Sequence, residues 1–285
     1  MTPSQQAQAD AFRALHAVNA PTLLLPNAWD AASAQLIAQC GAKAIATTSA
    51  GVSWSHGFPD GEHLPCATHL AAISEIIRIT AIPVTVDVEG GYSEDPDAVA
   101  RFISDIIKVG AIGINIEDGA SQPDLFAAKI AAVRALTKKT GVDFFINART
   151  DVYLRGLASP DSAVHETIER AKLYKNAGAD GIFVPGLVNL VEIKDIATSV
   201  QLPLNIMALP GIAPVQTLAE HGVRRISVGM ALHQTALAAA KRATMEMLDR
   251  GHFNALFAES ITYNEMNALF SPRLMIETQA TFFRA

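Results

Sequence analysis

GAIGINIE, residues 110–117, places a glycine that can end a helix directly before a short run of apolar, partly β-branched residues. Three further stretches repeat the phrase: GAKAIATT at 41–48, GADGIFVP at 178–185 and GVRRISVG at 222–229. A glycine that closes a helix and leads into a strand is one half of a βα repeat. Four copies therefore predict a repeated βα architecture.

Four other apolar runs fit between these phrases as strands, at residues 22–26, 82–89, 142–148 and 202–208. The segments between strands have helical spacing; one of them begins with Asp95 as a candidate cap and Pro96 in the first turn. Eight strands that alternate with helices, with no GxGxxG after the first strand, favour a closed (β/α)8 TIM-type barrel over an open doubly wound sheet. We therefore predict an α/β protein with a single barrel domain over residues 1–285.

The chain continues well beyond the eighth predicted strand. Residues 231–251 predict one long helix, and residues 253–270 predict further helix. This helical tail, residues 231–285, is longer than closing a barrel requires. We therefore expect it to pack on a neighbouring subunit.

Composition limits the kinds of partner and compartment. Half of the residues are hydrophobic and 18% are charged, which is enough apolar material for a large core. The net charge of -6, without any Lys/Arg cluster, argues against nucleic acid as a partner. No apolar stretch is long enough for a membrane span, and the N-terminus lacks the pattern of a signal peptide. Cys40 and Cys66, the two cysteines, lack metal-ligand spacing, so we expect a cytoplasmic protein without disulfides.

Polar residues gather where the predicted strands end, and in a barrel these ends form one mouth that carries the active site. The third strand ends in Asp87 and Glu89, the fourth in Glu117, the fifth in Arg149 and the seventh in Asn205. An extended strand would point Asp87 and Glu89 to the same side. Converging acids need a cation, and oxygen ligands without Cys or His nearby suit Mg²⁺ or Mn²⁺. Arg149 offers a fork that matches a substrate carboxylate or phosphonate.

Other polar positions favour different roles. Asp118 and Asp151 are expected to be structural, and Asp30 is expected to cap a helix. Residues 49–65 form the most irregular stretch and are a candidate lid or substrate loop. His56 in this loop is a candidate general acid or base, and an exposed loop histidine is an equally good interpretation.

Six motifs, in order between about residues 20 and 230, together resemble the isocitrate lyase and phosphoenolpyruvate mutase superfamily. They are LLLPNAWDAASA, ATTSAG before GFPDG, VDVEGGY, GINIEDG, NARTD and AGADGIFVPG. The resemblance implies an (α/β)8 barrel, a Mg²⁺ ion and small α-keto or hydroxy acid substrates. It also implies that a C–C or P–C bond is formed or cleaved through an enolate, and that subunits associate as dimers or tetramers with an exchanged C-terminal helix.

The resemblance also implies roles for individual residues. Asp87 matches the acid that contacts the metal most directly, and Glu117 matches the acid that holds a metal-bound water. Glu89 stands where many members have Asp. Arg149, in NARTD, matches the arginine that grips the substrate carboxylate.

Two further assignments and one departure follow from the same resemblance. Thr48, Ser49 and Ala50 fall where backbone N–H groups cradle the other end of the substrate, and Asp60 matches an acid near the metal. Isocitrate and methylisocitrate lyases carry Lys-Lys-Cys-Gly-His on the loop after the fourth strand, whereas residues 117–129 here read EDGASQPDLFAAK. With no Cys, His or early Lys in this loop, the sequence argues against those two activities and leaves the final proton donor open.

The leading interpretation is a Mg²⁺-dependent lyase or phosphonomutase-like enzyme acting on a small 2-oxo or 2-hydroxy carboxylic acid. In it the loop that contains His56 and Asp60 closes over the acid. A pyruvate-type aldolase or oxaloacetate-type decarboxylase is an alternative that shares the metal and the enolate. A keto-acid binding protein without catalysis is an alternative of another class.

Overall fold

The computed structural model describes residues 4–271. Its centre is a nearly closed barrel of parallel strands. The strands are β1 (Leu23–Leu25), β2 (Asn27–Ala28), β3 (Ile45–Thr47), β4 (Val84–Asp87), β5 (Gly113–Glu117), β6 (Phe145–Arg149), β7 (Gly181–Phe183), β8 (Leu204–Met207) and β9 (Val223–Ser227). Each of the eight predicted strands is present within these bounds, so the predicted TIM-type barrel is confirmed.

The ninth strand is β2, which follows Pro26 and lies just beyond the first predicted strand, residues 22–26. Proline has no N–H for the ladder, and the chain switches partner at this residue: β1 pairs with β9, whereas β2 pairs with β3. Asn27 fastens this junction. Its amide nitrogen donates to the carbonyl of Thr47 at 2.8 Å, and its Oδ1 accepts from the N–H groups of Val228 and Gly229 at 2.9 and 3.0 Å.

Helices surround the barrel, and at least one helix follows every strand from β2 onward. They are α1 (Gln5–Ala14), α2 (Ala31–Gln39), α3 (Ser49–Ser55), α4 (Cys66–Ile79), α5 (Pro96–Lys108), α6 (Pro123–Thr140), α7 (Pro160–Ala177), α8 (Leu190–Val200), α9 (Val215–Glu220), α10 (Ala231–Arg250), α11 (Asn254–Phe257) and α12 (Tyr263–Leu269). This alternation is the βα repeat that the glycine-led phrases predict.

Local signals in the sequence set the helix ends. Asp30 caps α2 in a capping box with Ser33, as expected, and Asp95 caps α5 with Pro96 in its first turn. Gly178 ends α7 at a φ of 113°, a left-handed conformation that favours glycine. The strand β7 then begins three residues later.

The apolar core lies between the strands and the helices, where strand residues such as Ile114 and Ile206 pack with helix residues such as Ile103. A smaller cluster around Phe12 of α1 and Phe145 of β6 closes the end of the barrel at which the strands begin. The two phenyl rings meet edge to face, 5.4 Å apart. The opposite end, where the strands finish, is open to polar chemistry.

Three regions depart from the predictions. Residues 253–270 form two short helices, α11 and α12, separated by a non-helical segment, because the capping box of Thr262 with Glu265 starts a new helix there. The loop over residues 49–65 is irregular only in its later part, since α3 occupies its beginning. The end of the predicted tail, residues 272–285, lies outside the described residues, so its exchange between subunits stays a prediction. In residues 4–271, no helix is both long and apolar enough to cross a membrane.

Candidate active site

A cavity of about 150 Å³ lies where the strands finish. Seven of the predicted site residues line it together: Thr48, Ser49, Ala50, Asp60, Asp87, Arg149 and Asn205. They come from β4, β6, β8 and the segment after β3, which are distant in sequence and are brought together by barrel closure. Glu89 and Glu117 adjoin this set, and His56 does not belong to it.

Asp87, the last residue of β4, faces the cavity and is held by neutral donors. Its Oδ2 accepts from the backbone N–H of Ser49 at 3.1 Å, and its Oδ1 accepts from the side-chain amide of Asn115 at 3.1 Å. Asn115 in turn accepts from the amide of Asn147 at 3.0 Å. We call Asn147 and Asn115 the amide ladder; it runs through the barrel interior and fixes one oxygen of Asp87. A Cβ atom added at Gly181 would lie 2.8 Å from Oδ1 of Asn147, so the ladder has no spare room.

Glu89 does not continue the strand, and the prediction that an extended backbone aligns it with Asp87 is wrong. The strand β4 ends at Asp87, and Glu89 has a φ of 51° in the left-handed region. Its carboxylate accepts from the Tyr92 hydroxyl at 2.9 Å and from the backbone N–H of Glu62. Burial, and then the charge of Asp87, raise the pKa of Glu89 to about 7. The two carboxylates therefore repel each other although they approach from different backbone directions.

Arg149 is clamped between two acids at the end of β6. Its Nε and Nη2 contact the carboxylate of Asp151 at 2.6 and 3.1 Å, and its Nη1 contacts Glu117 at 2.6 Å. Burial raises the pKa of Glu117 to about 8; Arg149 opposes this shift, whereas Asp87 adds to it. Burial works against ionisation of Arg149, but Glu117 and Asp151 outweigh it and raise the pKa of the guanidinium. The remaining N–H groups of this fixed fork are available to a ligand in the cavity.

Asp60 and His56 come from the same loop but occupy different places. Asp60 lines the cavity and accepts a hydrogen bond from the Ser49 hydroxyl. Burial and the charge of Asp87 raise the pKa of Asp60. His56 is exposed at the end of α3, where its Nδ1 contacts the carbonyl of Val52 at 2.9 Å. The loop therefore contributes an acid to the cavity and leaves its histidine outside.

The predicted backbone cradle over residues 48–50 has fewer free donors than its length suggests. The N–H of Thr48 donates to the carbonyl of Ala28 at 3.1 Å, and the N–H of Ser49 donates to Asp87. Ala50 lies in the first turn of α3, where N–H groups have no acceptor within the helix. Ala50 is therefore the donor of this segment that can still serve a ligand.

The acids at the mouth can be tested for their fit to a divalent cation. In the part of the chain that the structure describes, no group of three or more His, Cys, Asp or Glu side chains is arranged to hold a metal directly. Asp87 nonetheless raises the pKa values of Asp60, Glu89 and Glu117, which marks a local deficit of positive charge. Mg²⁺ keeps several waters and binds through one or two carboxylates. The donor set fits an ion that contacts Asp87 and reaches the other acids through water.

Asp118 is structural, as expected, and lies apart from the cavity. Its side chain accepts from the hydroxyls of Thr150 and Tyr174 at 2.8 and 2.7 Å and from Arg170 at 2.9 Å. These contacts tie the end of β5 to α7. Asp151 is structural in a different sense, because it orients Arg149.

Sequence reasoning missed several residues of the cavity, and Arg225 is the most unusual of them. Arg225 lies on β9, is 2% exposed and lines the cavity, yet its Nε and Nη1 have no hydrogen-bond partner among the described residues. Burial lowers its pKa to about 9, so it is still a cation at neutral pH. One feature of the sequence points to Arg225: it is a charged residue at a strand position of the phrase GVRRISVG. Asn115, Ser227, Phe183 and Met207 also line the cavity and were not predicted.

Comparison with known proteins places the chain among enzymes of one family. Residues 12–248 match the phosphoenolpyruvate phosphomutase family. The chain is 37% identical over 262 residues to the uncharacterized protein MT2054 of Mycobacterium tuberculosis, covering 90% of this chain and 95% of that protein. It is 34% identical over 255 residues to 2-methylisocitrate lyase of Escherichia coli, covering 82% of this chain and 80% of that enzyme.

A solved structure agrees with these relatives. A putative phosphonomutase from Burkholderia cenocepacia superposes with a TM-score of 0.79 at 41% sequence identity, covering 83% of this chain and 98% of the other. The region that matches the family, residues 12–248, includes all nine strands of the described structure and therefore the strands that carry the cavity. Similarity thus covers the barrel and is not limited to short motifs.

Proposed function

The chain belongs to the phosphoenolpyruvate phosphomutase family, and from this premise we propose that it is a Mg²⁺-dependent lyase or phosphonomutase-like enzyme. Its substrate would be a small 2-oxo or 2-hydroxy carboxylic acid in which a C–C or P–C bond is cleaved or formed through an enolate. The observation that carries the proposal is the pairing of Asp87 with Arg149 across one small cavity at the strand ends. An acid that can hold a cation then faces a guanidinium that can hold a carboxylate.

We propose Asp87, Glu89 and Glu117 as the residues that hold the metal. Asp87 would contact the ion, and Glu89 and Glu117 would accept hydrogen bonds from its waters. When bound, Mg²⁺ would supply Lewis acidity at the oxygen of the substrate where negative charge accumulates. This assignment is supported by the raised pKa values of Glu89 and Glu117, which a divalent charge would lower.

The other residues bind and orient the acid. Arg149 would pair with the substrate carboxylate through the N–H groups that Glu117 and Asp151 leave free, because those two acids already fix the plane of the fork. The N–H of Ala50 would donate to the opposite end of the substrate. Phe183 stacks near Arg149, 5.8 Å from its ring centre to the guanidinium carbon, and limits water around the pair.

We propose Asp60 as the group that moves a proton. Cleavage leaves an electron pair on the substrate fragment, and this enolate must be protonated to leave as product. The connection from β5 to α6 supplies no Cys, His or Lys, and the helix begins already at Pro123. Asp60 lines the cavity and has a raised pKa, which suits a carboxyl that both takes up and releases a proton. A role for His56 stays a prediction.

Oxaloacetate-type decarboxylation is an alternative that makes fewer demands on the cavity. Cleavage of a 2-hydroxy acid requires a base that removes the hydroxyl proton and an acid that protonates the enolate, whereas decarboxylation of a 2-oxo acid releases CO₂ and requires only that the enolate be protonated. A pyruvate-type aldolase shares the cavity and the enolate but must also bind an aldehyde. A protein that binds a keto acid without turnover would keep Arg149 and Asp87 and lack product formation.

One panel separates these reactions. Purified protein is incubated with oxaloacetate, phosphonopyruvate and alkylmalate-type acids, with Mg²⁺ or EDTA, and release of pyruvate, glyoxylate or CO₂ is measured. We expect turnover with one of these acids that EDTA abolishes, that Asp87→Asn loses and that the surface control Glu220→Gln keeps. Tight binding without turnover on the whole panel would instead support the binding protein.

We also propose that the protein is a homo-oligomer. The helix α10 buries only His233 and Ala243 among the described residues and exposes large apolar side chains, including Leu237, Met245 and Leu248. Such a face is typical of a helix that packs on another subunit. Light scattering coupled to size exclusion should give a mass of a dimer or tetramer, and a monomeric mass would contradict this.

A further inference from the structure

Arg225 is a buried cation for which the described residues supply no counter-ion. Its side chain is enclosed by the barrel, and its Nε and Nη1 have no hydrogen-bond partner in residues 4–271. A buried charge normally has a paired acid, because an unpaired one costs several kcal/mol of desolvation. The described residues do not meet this requirement, although 28 acidic residues are available in the chain.

The groups that face Arg225 do not compensate for its charge. The ring of Phe12 lies 5.9 Å below the guanidinium carbon, a contact typical of a weak cation–π interaction. His16 is also near, but burial and the charge of Arg225 lower its pKa to about 3, so this ring is neutral. Asp87 is the acid whose field favours the charged form of Arg225, and both of its oxygens already accept hydrogen bonds.

The position of Arg225 places its charge in the same cavity as Arg149. Register pairs Arg149 with Phe183, Phe183 with Asn205 and Asn205 with Arg225, so the two arginines lie three strands apart in one row. Three strand spacings amount to about 14 Å along the sheet, and the curvature of the barrel brings both side chains onto one cavity. Arg149 lies at the mouth, at the end of its strand. Arg225 lies deeper in the barrel, next to the phenyl ring of Phe12 in α1.

The neighbours of Arg225 complete a polar subsite. Asn205 donates to the hydroxyl of Ser227 at 3.3 Å, and both side chains line the cavity. Their hydroxyl and amide groups can supply or relay hydrogen bonds to an oxyanion, as the arginine can. No carboxylate belongs to this group. The acid whose charge reaches Arg225 is Asp87, and the cation proposed at Asp87 would offset that charge for an anion bound here.

We propose that the deep end of the cavity is an oxyanion-binding subsite centred on Arg225, which selects ligands that bring a second negative group beside the one held by Arg149. The inference rests on the proposed function for the identity of the first group. The second group is a carboxylate, either of the same substrate or of a separate small anion. Arg225 is then a specificity-determining residue that touches the ligand.

Binding of matched acids tests the subsite. Oxalate, malonate and succinate are compared with their monoamides, which have nearly the same shape and one charge less, by calorimetry in the presence of Mg²⁺. We expect at least one diacid to bind the wild-type protein about 10-fold or more tightly than its monoamide, since a charge-assisted pair is worth that factor. Acetate added to protein saturated with the monoamide then distinguishes a separate anion from a second group of one ligand.

Three variants connect the preference to Arg225. In Arg225→Gln the ratio of diacid to monoamide affinity should fall to about 1 to 3, and in Arg225→Lys it should be intermediate. The control Arg224→Gln removes a charge from the same strand, but on the outer face, where Arg224 contacts the carbonyls of Ala17, Val18 and Ala20; its ratio should equal that of the wild type.

The unfolding temperature provides a second measurement. If Arg225 were purely structural, its replacement would lower this temperature. Without ligand, Arg225→Gln should unfold at the same or a higher temperature, because it removes an unpaired buried charge. An unchanged affinity ratio in Arg225→Gln, or a wild-type protein that prefers neither diacids nor added acetate, would overturn the proposal. If Arg225→Gln does not fold, Arg225 is structural and the proposal also fails.

Failure of the Arg225 subsite and failure of the proposed reaction can be distinguished. A retained, Arg225-dependent preference for the second negative group without any turnover would overturn the proposed function alone. Turnover that does not depend on Arg225 and is equal for acids with and without a second carboxylate would overturn the subsite alone.

Discussion

We expect removal of Mg²⁺ to make the stability of the protein fall as the pH rises from about 5 to 9. In the unfolded chain the carboxyls of Glu89 and Glu117 titrate near 4.5, and in the cation-free fold they titrate near 7 and 8. Between these values the folded state binds more protons than the unfolded state. The contribution of these two groups to the free energy of unfolding is therefore fully present below about pH 4.5 and is lost as the pH rises through about 7 and 8.

The size of the effect follows from the pKa shifts. At about 1.4 kcal/mol per pKa unit, Glu89 accounts for about 3.5 kcal/mol and Glu117 for about 5 kcal/mol. The two shifts do not add, because each carboxyl is raised partly by Asp87 and, for Glu117, by Glu89. We therefore expect a total loss of about 3 to 5 kcal/mol, which corresponds to about 6 to 10 °C in Tm for a domain of this size.

Thermal unfolding in EDTA and in MgCl₂, at pH 6.0 and pH 8.5, measures the effect. Mg²⁺ should raise Tm more at the higher pH, because it binds the ionised carboxylates. Glu89→Gln and Glu117→Gln should each flatten the pH dependence in EDTA, whereas the exposed control Glu220→Gln should not. A Mg²⁺ shift of equal size at both pH values would refute the proposed coupling of these acids to a cation.

Three substitutions test other parts of the site. Arg149→Lys removes the two-pronged contact with Asp151, and we expect kcat/KM to fall by about 100-fold, mainly through KM. Asp60→Asn should lower kcat by about 100-fold with little change in Tm, because asparagine has nearly the same shape and can still accept the hydrogen bond of Ser49; wild-type kcat in this variant would remove Asp60 from the mechanism. Asn115→Leu leaves Asp87 without its amide donor and should weaken Mg²⁺ binding, measured by calorimetry, by about 10-fold; unchanged affinity would show that the ladder does not position Asp87.

Sequence patterns predicted the barrel because its signals are local. Each glycine-led phrase contains both the end of a helix and the start of a strand, and the cap at Asp30 requires only its own neighbours. The extra strand β2 after Pro26 was not predicted, since the consequence of Pro26 depends on which strands lie on either side. The helical spacing of residues 253–270 predicts further helix without showing the break, because the spacing continues across the new cap at Thr262.

The site was harder to predict for a similar reason. Barrel topology was enough to bring Asp87, Arg149 and Asn205 to one end. The direction of Glu89 depends on a single positive φ, which a run of residues does not reveal. Arg225 was overlooked because a charged residue in an apolar strand looks like an exposed edge, and only the closed barrel turns that position inward.

The amide ladder connects catalysis to a residue that no ligand touches. Gly181 lies two strands away from β5, yet a methyl group there would press on Asn147, and the displacement would pass through Asn115 to the oxygen of Asp87. A random mutagenesis screen that ranks positions by distance to the substrate would give Gly181 low priority. The geometry instead predicts that a substitution at Gly181 alone would change the position of the Asp87 carboxylate, although no residue that lines the cavity is replaced.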